Sequence, residues 1–224
     1  MKILDKKNKI YLLDEENFNF PTLDMMKDDL VAVGGDFHPQ RLLNAYENGI
    51  FPWYIDEYNY IHWFSPQKRM IIKPEEMKVS KSLKKSVLNK GFVIKSNENF
   101  EAVMRNCSNI KRKHEDSTWI SEEFIQAYTT LHKLEIAFSI ECYFDDELVG
   151  GLYGLLINDI FCGESMFAKV SNASKAGFIQ FVAKYHKKYE LIDCQVYTEH
   201  LASLGAVEIP SDVFLDYLED NNQS

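Results

Sequence analysis

The chain has 224 residues, of which 46% are hydrophobic and 26% charged, and its net charge is −9. This composition is that of a globular protein with a sizeable core, and no run approaches the ~20 apolar residues that a membrane helix requires. The negative charge argues against a protein that coats nucleic acid without selectivity, although a local basic patch is compatible with it. Four cysteines show neither CxxC nor disulfide-rich spacing, and the N-terminus does not read as a signal peptide, so we expect a cytoplasmic protein.

A capped helix is predicted in the first third of the chain, within LVAVGGDFHPQRLLNAYENGIFPWY. Asp36 is the candidate N-cap, Pro39 suits the first helical turn, and Gly49 closes the helix. Two tryptophans, Trp53 and Trp63, follow in an aromatic and proline-rich stretch. Each is open to two interpretations, a core residue or a platform for a ligand.

Lysines are concentrated between residues 73 and 95, whereas the acidic residues are concentrated elsewhere. This asymmetry suggests a basic strip that meets phosphates, and a solvated surface is the alternative explanation. The same region predicts two short helices, in KVSKSLKKSVLNKG and NENFEAVMRNC. A third helix is predicted in STWISEEFIQAYTTLHKL, with Ser121 as its cap and Trp119 just before it.

A meander of three strands is predicted next, in AFSIECYF, LVGGLYGLLI and IFCGESM. A helix in SNASKAGFIQFVAKYHKKY then leads to a strand in LIDCQV by a right-handed crossover, and PSDVFLDYLED forms a last short helix. This order predicts an α+β fold of the GNAT acyltransferase type. The usual glycine-rich loop for the acetyl-CoA pyrophosphate is missing from GESMFAKVSNASKAG, which disfavours an ordinary acetyl-CoA enzyme.

The strands FCGESMF and LIDCQV carry the candidate site, and we expect them to lie side by side. Alternation of side chains along a strand puts Asp193 and Gln195 on one face and Ile192 on the other. Gly163 sits in mid-strand beside Glu164, where glycine often marks a bulge or the approach of a ligand. The alternative is structural: Asp193 accepts hydrogen bonds at a strand end and Glu164 faces water.

Nine blocks in order resemble the leucyl/phenylalanyl-tRNA protein transferases across almost the whole chain: VGGDFHPQRLLNAYENGIFPWY, WFSP, STWIS, AYTTLHKL, DELVGGLYG, FCGESMF, NASK, LIDCQV and HLASLGAVEIP. The resemblance implies a small N-terminal α/β domain over residues 1–70 and a GNAT-like domain with a mixed, mostly antiparallel sheet over 71–224. It implies a cytoplasmic, monomeric enzyme that moves Leu, Phe or, less readily, Met from aminoacyl-tRNA to the N-terminal Arg or Lys of a protein, marking that protein for degradation by the N-end rule.

The resemblance also implies roles for the residues of the two strands. An aminoacyl ester is already activated, so transfer to an amine requires positioning and stabilisation of the oxyanion, and no ATP, metal, cofactor or covalent intermediate is expected. Asp193 and Gln195 correspond to the family's proton relay, in which the amide contacts the amine. Glu164 corresponds to a residue near the aminoacyl ester. The sequence does not divide the labour between Asp193 and Gln195.

The ligand surfaces follow from the same resemblance. Trp53 and Trp119 match the two tryptophans that bracket the terminal adenosine of the tRNA, and Lys81, Lys84 and Lys85 fall on the basic strip. The amino-acid pocket falls on residues that would otherwise be read as core, namely Leu152, Phe161, Gly163, Ser165, Phe178, Phe181, Tyr185 and Ile192. The run 171–174 offers backbone N–H groups for a phosphate or only a helix cap.

Two alternative functions remain open from the sequence. One is a GNAT-type N-acyltransferase that uses acyl-CoA, against which stands the missing pyrophosphate loop. The other is a non-catalytic module that binds the end of an RNA, for which the lysines and tryptophans matter and Asp193 does not.

Overall fold

The computed structural model of the protein describes residues 2–22, 25, 28–110 and 120–220. Trp119 therefore lies outside the described residues. The strands and helices are, in chain order, β1 (Lys2–Asp5), β2 (Ile10–Leu13), β3 (Leu30–Gly34), α1 (Pro39–Glu47), β4 (Phe51–Ile55), β5 (Ile61–Phe64), β6 (Lys68–Ile72), α2 (Lys81–Leu88), β7 (Val93–Ser96), α3 (Phe100–Ser108), α4 (Glu122–Lys133), β8 (Ala137–Phe144), β9 (Glu147–Ile157), β10 (Ile160–Ala168), α5 (Ala173–Tyr185), β11 (Leu191–Gln195), α6 (Glu199–Ala202), β12 (Val207–Pro210) and α7 (Ser211–Asp220). No described helix has the length and apolar character needed to cross a membrane.

The chain divides into two compact units, Met1–Arg69 with Glu208–Ser224, and Met70–Val207. We predicted one boundary at residue 70 with the whole remainder in the second domain. The units divide at that point, and the C-terminal segment that contains α7 groups with the first unit. The family resemblance did not predict that the C-terminal segment would group with the first unit.

The first unit is built on a five-stranded sheet of order β1-β2-β3-β5-β4. Strands β2 and β3 pair in parallel, and the other pairs are antiparallel. Trp63 is fully buried in this unit and its indole N–H donates to the carbonyl of Gly34 at 2.8 Å, so the core interpretation of Trp63 is confirmed.

A buried arginine holds the start of α1 in the first unit. The Nε of Arg41 donates to the carboxylate of Asp36 at 3.0 Å, and its terminal nitrogens donate to the carbonyls of Asn17 and Asp14 at 2.9 and 2.7 Å. Asp36 is thus not the N-cap that we predicted. The cap is His38, whose Nδ1 accepts from the N–H of Gln40 at 3.2 Å, because the carboxylate is already engaged with the guanidinium.

The second unit contains most of a seven-stranded sheet of order β12-β6-β11-β10-β9-β8-β7. The β8–β9–β10 meander is antiparallel, α5 connects β10 to β11, and β10 and β11 pair in parallel. The predicted meander, crossover and mixed, mostly antiparallel sheet are therefore confirmed. The short strands β6, β7 and β12 of this sheet were not predicted.

Two adjacent glycines on β9 show how tightly helices cover this sheet. A Cβ at Gly150 would lie 2.5 Å from the Cβ of Ala173 on α5, and a Cβ at Gly151 would lie 3.3 Å from Val103 on α3. Since neighbouring residues of a strand face opposite sides, α5 and α3 cover opposite faces of the sheet. The close approach of α5 fixes its position beside β10 and β11, where the candidate site lies.

Candidate active site

Strands β10 and β11 pair in parallel only as far as Cys162 and Asp193. Beyond this point the register of β10 against β9 shifts between Gly163 and Ser165, and the register of β11 against β6 shifts between Asp193 and Gln195. Bulges of this kind redirect side chains and end regular pairing. The predicted irregularity at Gly163 is confirmed, and a second one follows Asp193.

Gln195 has a backbone conformation that its residue type rarely adopts. Its φ is 62°, in the left-handed region, where residues other than glycine are uncommon. The carboxylate of Asp193 accepts a hydrogen bond from the main-chain N–H of Gln195 at 2.9 Å, as in an Asx turn. Asp193 is fully buried. The bulge makes the strict alternation that we assumed inapplicable here, and Asp193 contacts the backbone that carries the amide.

The side chain of Gln195 joins the two strands. Its Nε2 donates to the carboxylate of Glu164 at 2.6 Å, in partly buried surroundings. The sequence suggested an acid and an amide on one strand face, and the structure adds a second acid from the neighbouring strand. The hydrogen bond to Glu164 fixes the orientation of the amide, and Oε1, its only acceptor atom, can accept a hydrogen bond from a ligand.

The residues assigned to the amino-acid pocket lie together. Phe161, Phe178, Phe181, Leu152 and Ile192 are buried in one apolar cluster, and Tyr185 packs against it. The ring of Phe181 lies 4.5 Å from that of Phe161 and 5.2 Å from that of Tyr185. The cluster adjoins the site through β10 and β11, since Phe161 pairs with Ile192 two positions before Gly163.

The chain has four free cysteines, of which Cys162 on β10 and Cys194 on β11 lie in the strands of the site. Cys142 is fully buried, and burial raises the pKa of its thiol to about 12. Such a thiol stays protonated and unreactive at neutral pH. Among the described residues, no three or more His, Cys, Asp or Glu side chains form a group that could hold a metal ion. The site offers carboxylates, an amide and an apolar wall.

Two family models match the chain. The model described as leucyl/phenylalanyl-tRNA protein transferase matches residues 71–219, and that of its N-terminal domain matches residues 35–67. The leucyl/phenylalanyl-tRNA protein transferase of Sulfurimonas denitrificans is 48% identical over 95% of this chain and 92% of its own. The chain belongs to the leucyl/phenylalanyl-tRNA protein transferase family. The enzyme of Flavobacterium johnsoniae agrees with this, at 47% identity over 94% of this chain and 99% of its own.

Solved structures add little to the family assignment. A conserved protein of unknown function from Staphylococcus epidermidis is 11% identical over 64% of this chain and 57% of its own, with a TM-score of 0.44. That similarity is too low to support an argument about function. The assignment to the transferase family therefore rests on sequence.

Trp53, which the family resemblance assigned to the tRNA end, is only partly buried in the first unit. It packs edge-on against Phe64, with ring centroids 4.7 Å apart, and lies 6.2 Å from Phe51. A tryptophan held on one side by aromatic rings and exposed elsewhere is suited to stacking on a base. Trp53 and the fully buried Trp63 thus differ in exposure, although both lie in aromatic and proline-rich sequence.

The predicted basic residues lie on one helix. Lys81, Lys84 and Lys85 are exposed on α2, whose N-cap is Ser80. None of the three forms an ion pair with a described residue, which leaves their charges to solvent or to a ligand. This placement is compatible with both interpretations offered by the sequence.

Reversing the charge of two lysines on α2 distinguishes a phosphate-binding strip from a solvated surface. For the double variant Lys84→Glu/Lys85→Glu, we expect a higher dissociation constant for tRNA. We also expect the slope of log K against log salt concentration to become smaller by about 0.7 to 0.9 for each phosphate that is no longer neutralised. Filter binding over a range of salt concentrations measures both quantities. The same reversal at the exposed Lys6 and Lys7 is the control for net charge, and an unchanged slope in the α2 variant would assign its lysines to a solvated face.

A methyl group at Gly163 should affect activity without affecting the fold. A Cβ there would lie 3.4 Å from the carbonyl oxygen of Asp193, which is an ordinary contact, whereas a Cβ at Gly154 would clash with the carbonyl oxygen of Cys162. We expect Gly163→Ala to retain its melting temperature and to lose about tenfold in kcat/KM, because the methyl group would crowd the place that the family resemblance assigns to the aminoacyl ester. Gly154→Ala should unfold more easily. Equal losses of stability would show that Gly163 serves packing.

Sequence reasoning missed part of the apolar cluster. Phe138 on β8 lies 6.0 Å from Phe181 and 5.9 Å from Tyr185, and Tyr189 stacks on Phe181 at 5.7 Å. The helical spacing of the aromatic residues predicts that Tyr189 lies on the same side as Phe181 and Tyr185, and only its assignment to the pocket was missed. Phe138 comes from a distant strand, and no local pattern connects it with α5.

Proposed function

We propose that this protein transfers Leu or Phe, and less readily Met, from aminoacyl-tRNA to the α-amine of an N-terminal Arg or Lys. The observation that carries the proposal is the junction of Gln195 with Glu164 just beyond the last paired residues of β10 and β11, beside a large apolar cluster. We propose further that the second unit is GNAT-like, on the basis of its meander and parallel crossover strand. The product would mark its carrier for degradation in the cytoplasm, and we propose that the enzyme acts as a monomer.

The transfer begins with the amine held by Gln195. The Oε1 of its amide accepts a hydrogen bond from the incoming α-amine, which has an ordinary pKa of about 7.7 to 8.0 and is partly deprotonated near neutral pH. The amine lone pair attacks the carbonyl carbon of the aminoacyl ester and forms a tetrahedral intermediate. As this collapses, the ester C–O bond breaks, the new amide forms, and the amine proton leaves with the ribose hydroxyl.

The two carboxylates take different roles in this scheme. Asp193 holds the backbone of Gln195 in its left-handed conformation through the hydrogen bond of 2.9 Å. Glu164 orients the amide through the 2.6 Å hydrogen bond and adds negative charge that attracts a cationic N-terminus. Asp193 is then a positioning residue, and Gln195 is the group that touches the amine.

A transfer assay tests the proposal directly. The protein is incubated with labelled Phe-tRNA or Leu-tRNA and a peptide that begins with Arg, without ATP, and label is expected in the peptide. A peptide with an acetylated N-terminus is the control, because it has no free amine. Absence of transfer from a fully charged tRNA pool would refute the enzyme assignment. Retained binding of the RNA end would then favour a binding module, and micromolar binding of acetyl-CoA would favour the acyl-CoA alternative.

The apolar cluster predicts which amino acids are accepted. Leu and Phe should be transferred well, because burying each methylene contributes about 0.8 kcal/mol, and charged side chains would be left desolvated. Met should be used less, and Ile or Val hardly at all, since a β-branch lies next to the ester and would collide near Gly163 and Glu164. The measurement is kcat/KM for each charged tRNA. Similar values for Val-tRNA and Leu-tRNA would show that the cluster is only core.

A further inference from the structure

A polar cleft of about 450 Å³ lies in the second unit, apart from the Glu164–Gln195 junction. It opens where the start of α2, the start of α5 and the end of α6 meet. Six polar residues line it: Ser80, Ser82, Ser86, Asn172, Lys175 and Ser203. Among the described residues that line it, none is acidic, in a chain whose net charge is −9.

The hydroxyl groups of this cleft have hydrogens to donate. The Oγ of Ser80 accepts from the main-chain N–H of Leu83 at 3.2 Å, and the Oγ of Ser86 accepts from the Nδ2 of Asn172 at 3.1 Å. A hydroxyl that already accepts a hydrogen bond from the protein has its own hydrogen left to donate. Ser80 and Ser82 also lie 3.1 Å apart, so one of these two can donate to the other and leave the second hydrogen for a ligand.

Charge in and near the cleft is positive. Lys175 lies in the first turn of α5, and the exposed Lys81, Lys84 and Lys85 follow Ser80 on α2. The starts of two helices also meet at the cleft, and the partial positive charge of a helix N-terminus adds to that of the lysine. Asn172 has a left-handed backbone, and its side chain joins α5 to α2, so the donors are held in place before a ligand arrives.

We propose that this cleft binds a phosphate group. A tetrahedral oxyanion accepts several hydrogen bonds and carries negative charge, which matches a cleft whose described lining has hydroxyl donors, one ammonium group and no carboxylate. Two sources of the phosphate share this chemistry, a phosphodiester of the bound tRNA and free inorganic phosphate. The tRNA source rests on the proposed transferase function, whereas the phosphate site itself does not.

Titration with inorganic phosphate tests the site without any use of the transfer reaction. Amide NMR spectra of the whole protein should show saturable shifts at Ser82, Ser86 and Lys175, and none with chloride at the same ionic strength. Lys175→Gln should weaken binding about tenfold, since it removes a charge-assisted hydrogen bond. Lys187→Gln is the matched control, because it removes the same charge from an exposed site after α5 and should leave the binding unchanged.

His200 on α6 provides a second readout of the same titration. Burial lowers the pKa of this imidazole, and the charge of Lys175 lowers it further. A phosphate bound beside Lys175 would offset that charge, so the pKa of His200 should rise on addition of phosphate. The rise should vanish in Lys175→Gln, in which the starting value is already higher. Shifts that do not saturate, or that persist in Lys175→Gln, would overturn the phosphate site whatever the transfer assay shows.

The source of the phosphate is decided by transfer kinetics with Phe-tRNA as the varied substrate. If a tRNA phosphodiester occupies the cleft, Lys175→Gln and Ser82→Ala should raise the KM for Phe-tRNA several-fold with little change in kcat, and inorganic phosphate should compete with Phe-tRNA. Lys187→Gln should behave as the unaltered enzyme. Phosphate binding with an unchanged KM and no competition would assign the cleft to free phosphate and overturn the tRNA source.

Discussion

Replacing Gln195 by alanine should lower the rate of peptide transfer by about 10²- to 10³-fold, because the variant has no acceptor to orient the amine. Binding of aminoacyl-tRNA should change little, since the amide contacts the amine and not the nucleic acid. Single-turnover kinetics at saturating substrates, together with a tRNA binding isotherm, separate the two effects. The backbone strain at this position is the same for alanine as for glutamine, so any loss of stability should be limited to that of the hydrogen bond to Glu164.

Asp193 distinguishes positioning from proton transfer. Asp193→Asn keeps an oxygen that can accept the main-chain N–H of Gln195, whereas Asp193→Ala removes it. If Asp193 only positions Gln195, the asparagine variant should retain much of the turnover and the alanine variant should lose it. Equal loss in both variants would show that the negative charge itself is required. Near-normal turnover of Asp193→Ala would remove Asp193 from the mechanism altogether.

Arg41→Ala should destabilise the protein by about 3 kcal/mol, the largest loss of stability that we expect from a single truncation in the first unit. The side chain of Arg41 is fully buried, and its three hydrogen bonds hold two loop carbonyls and the carboxylate of Asp36. Removing it leaves these acceptors without their donor. Denaturant unfolding followed by tryptophan fluorescence measures the change, since Trp63 reports on this unit.

The matched control for Arg41 is an exposed arginine with comparable bonding. Arg105 pairs with Glu101 and Glu122 between α3 and α4, and its side chain is 46% exposed. Solvent screens such pairs, so Arg105→Ala should cost much less stability than Arg41→Ala. If the two variants lost similar amounts of stability, burial of Arg41 would add nothing to its contribution to the free energy of unfolding.

Local sequence patterns predicted those elements that have a capping residue or a regular spacing of apolar residues. Helix α4 has Ser121 as its cap and apolar residues at helical spacing, and the structure confirms both. Strand β1 gives no such signal, because Ile3 and Leu4 are both largely exposed and the strand has no buried face. The return of α7 to the first unit is a long-range event that no local pattern encodes.

The candidate site was predictable in its residue types and not in its geometry. The combination of Glu164, Asp193 and Gln195 stood out because packing alone would not select it. The left-handed backbone of Gln195 could not be foreseen, since glutamine has no preference for that conformation. The contact of Gln195 with Glu164 depends on the parallel pairing of β10 and β11 and on two bulges, and these follow from tertiary structure.

Helix α5 fixes the distance between two regions of the second unit. Lys175 in the polar cleft and Phe181 in the apolar cluster are six positions apart on it, which corresponds to about 9 Å along the axis. Deleting one residue between them would shorten this distance by about 1.5 Å and rotate everything after the deletion by about 100°. In relatives of this enzyme, the segment from Lys175 to Phe181 should therefore vary by substitution and hardly ever in length.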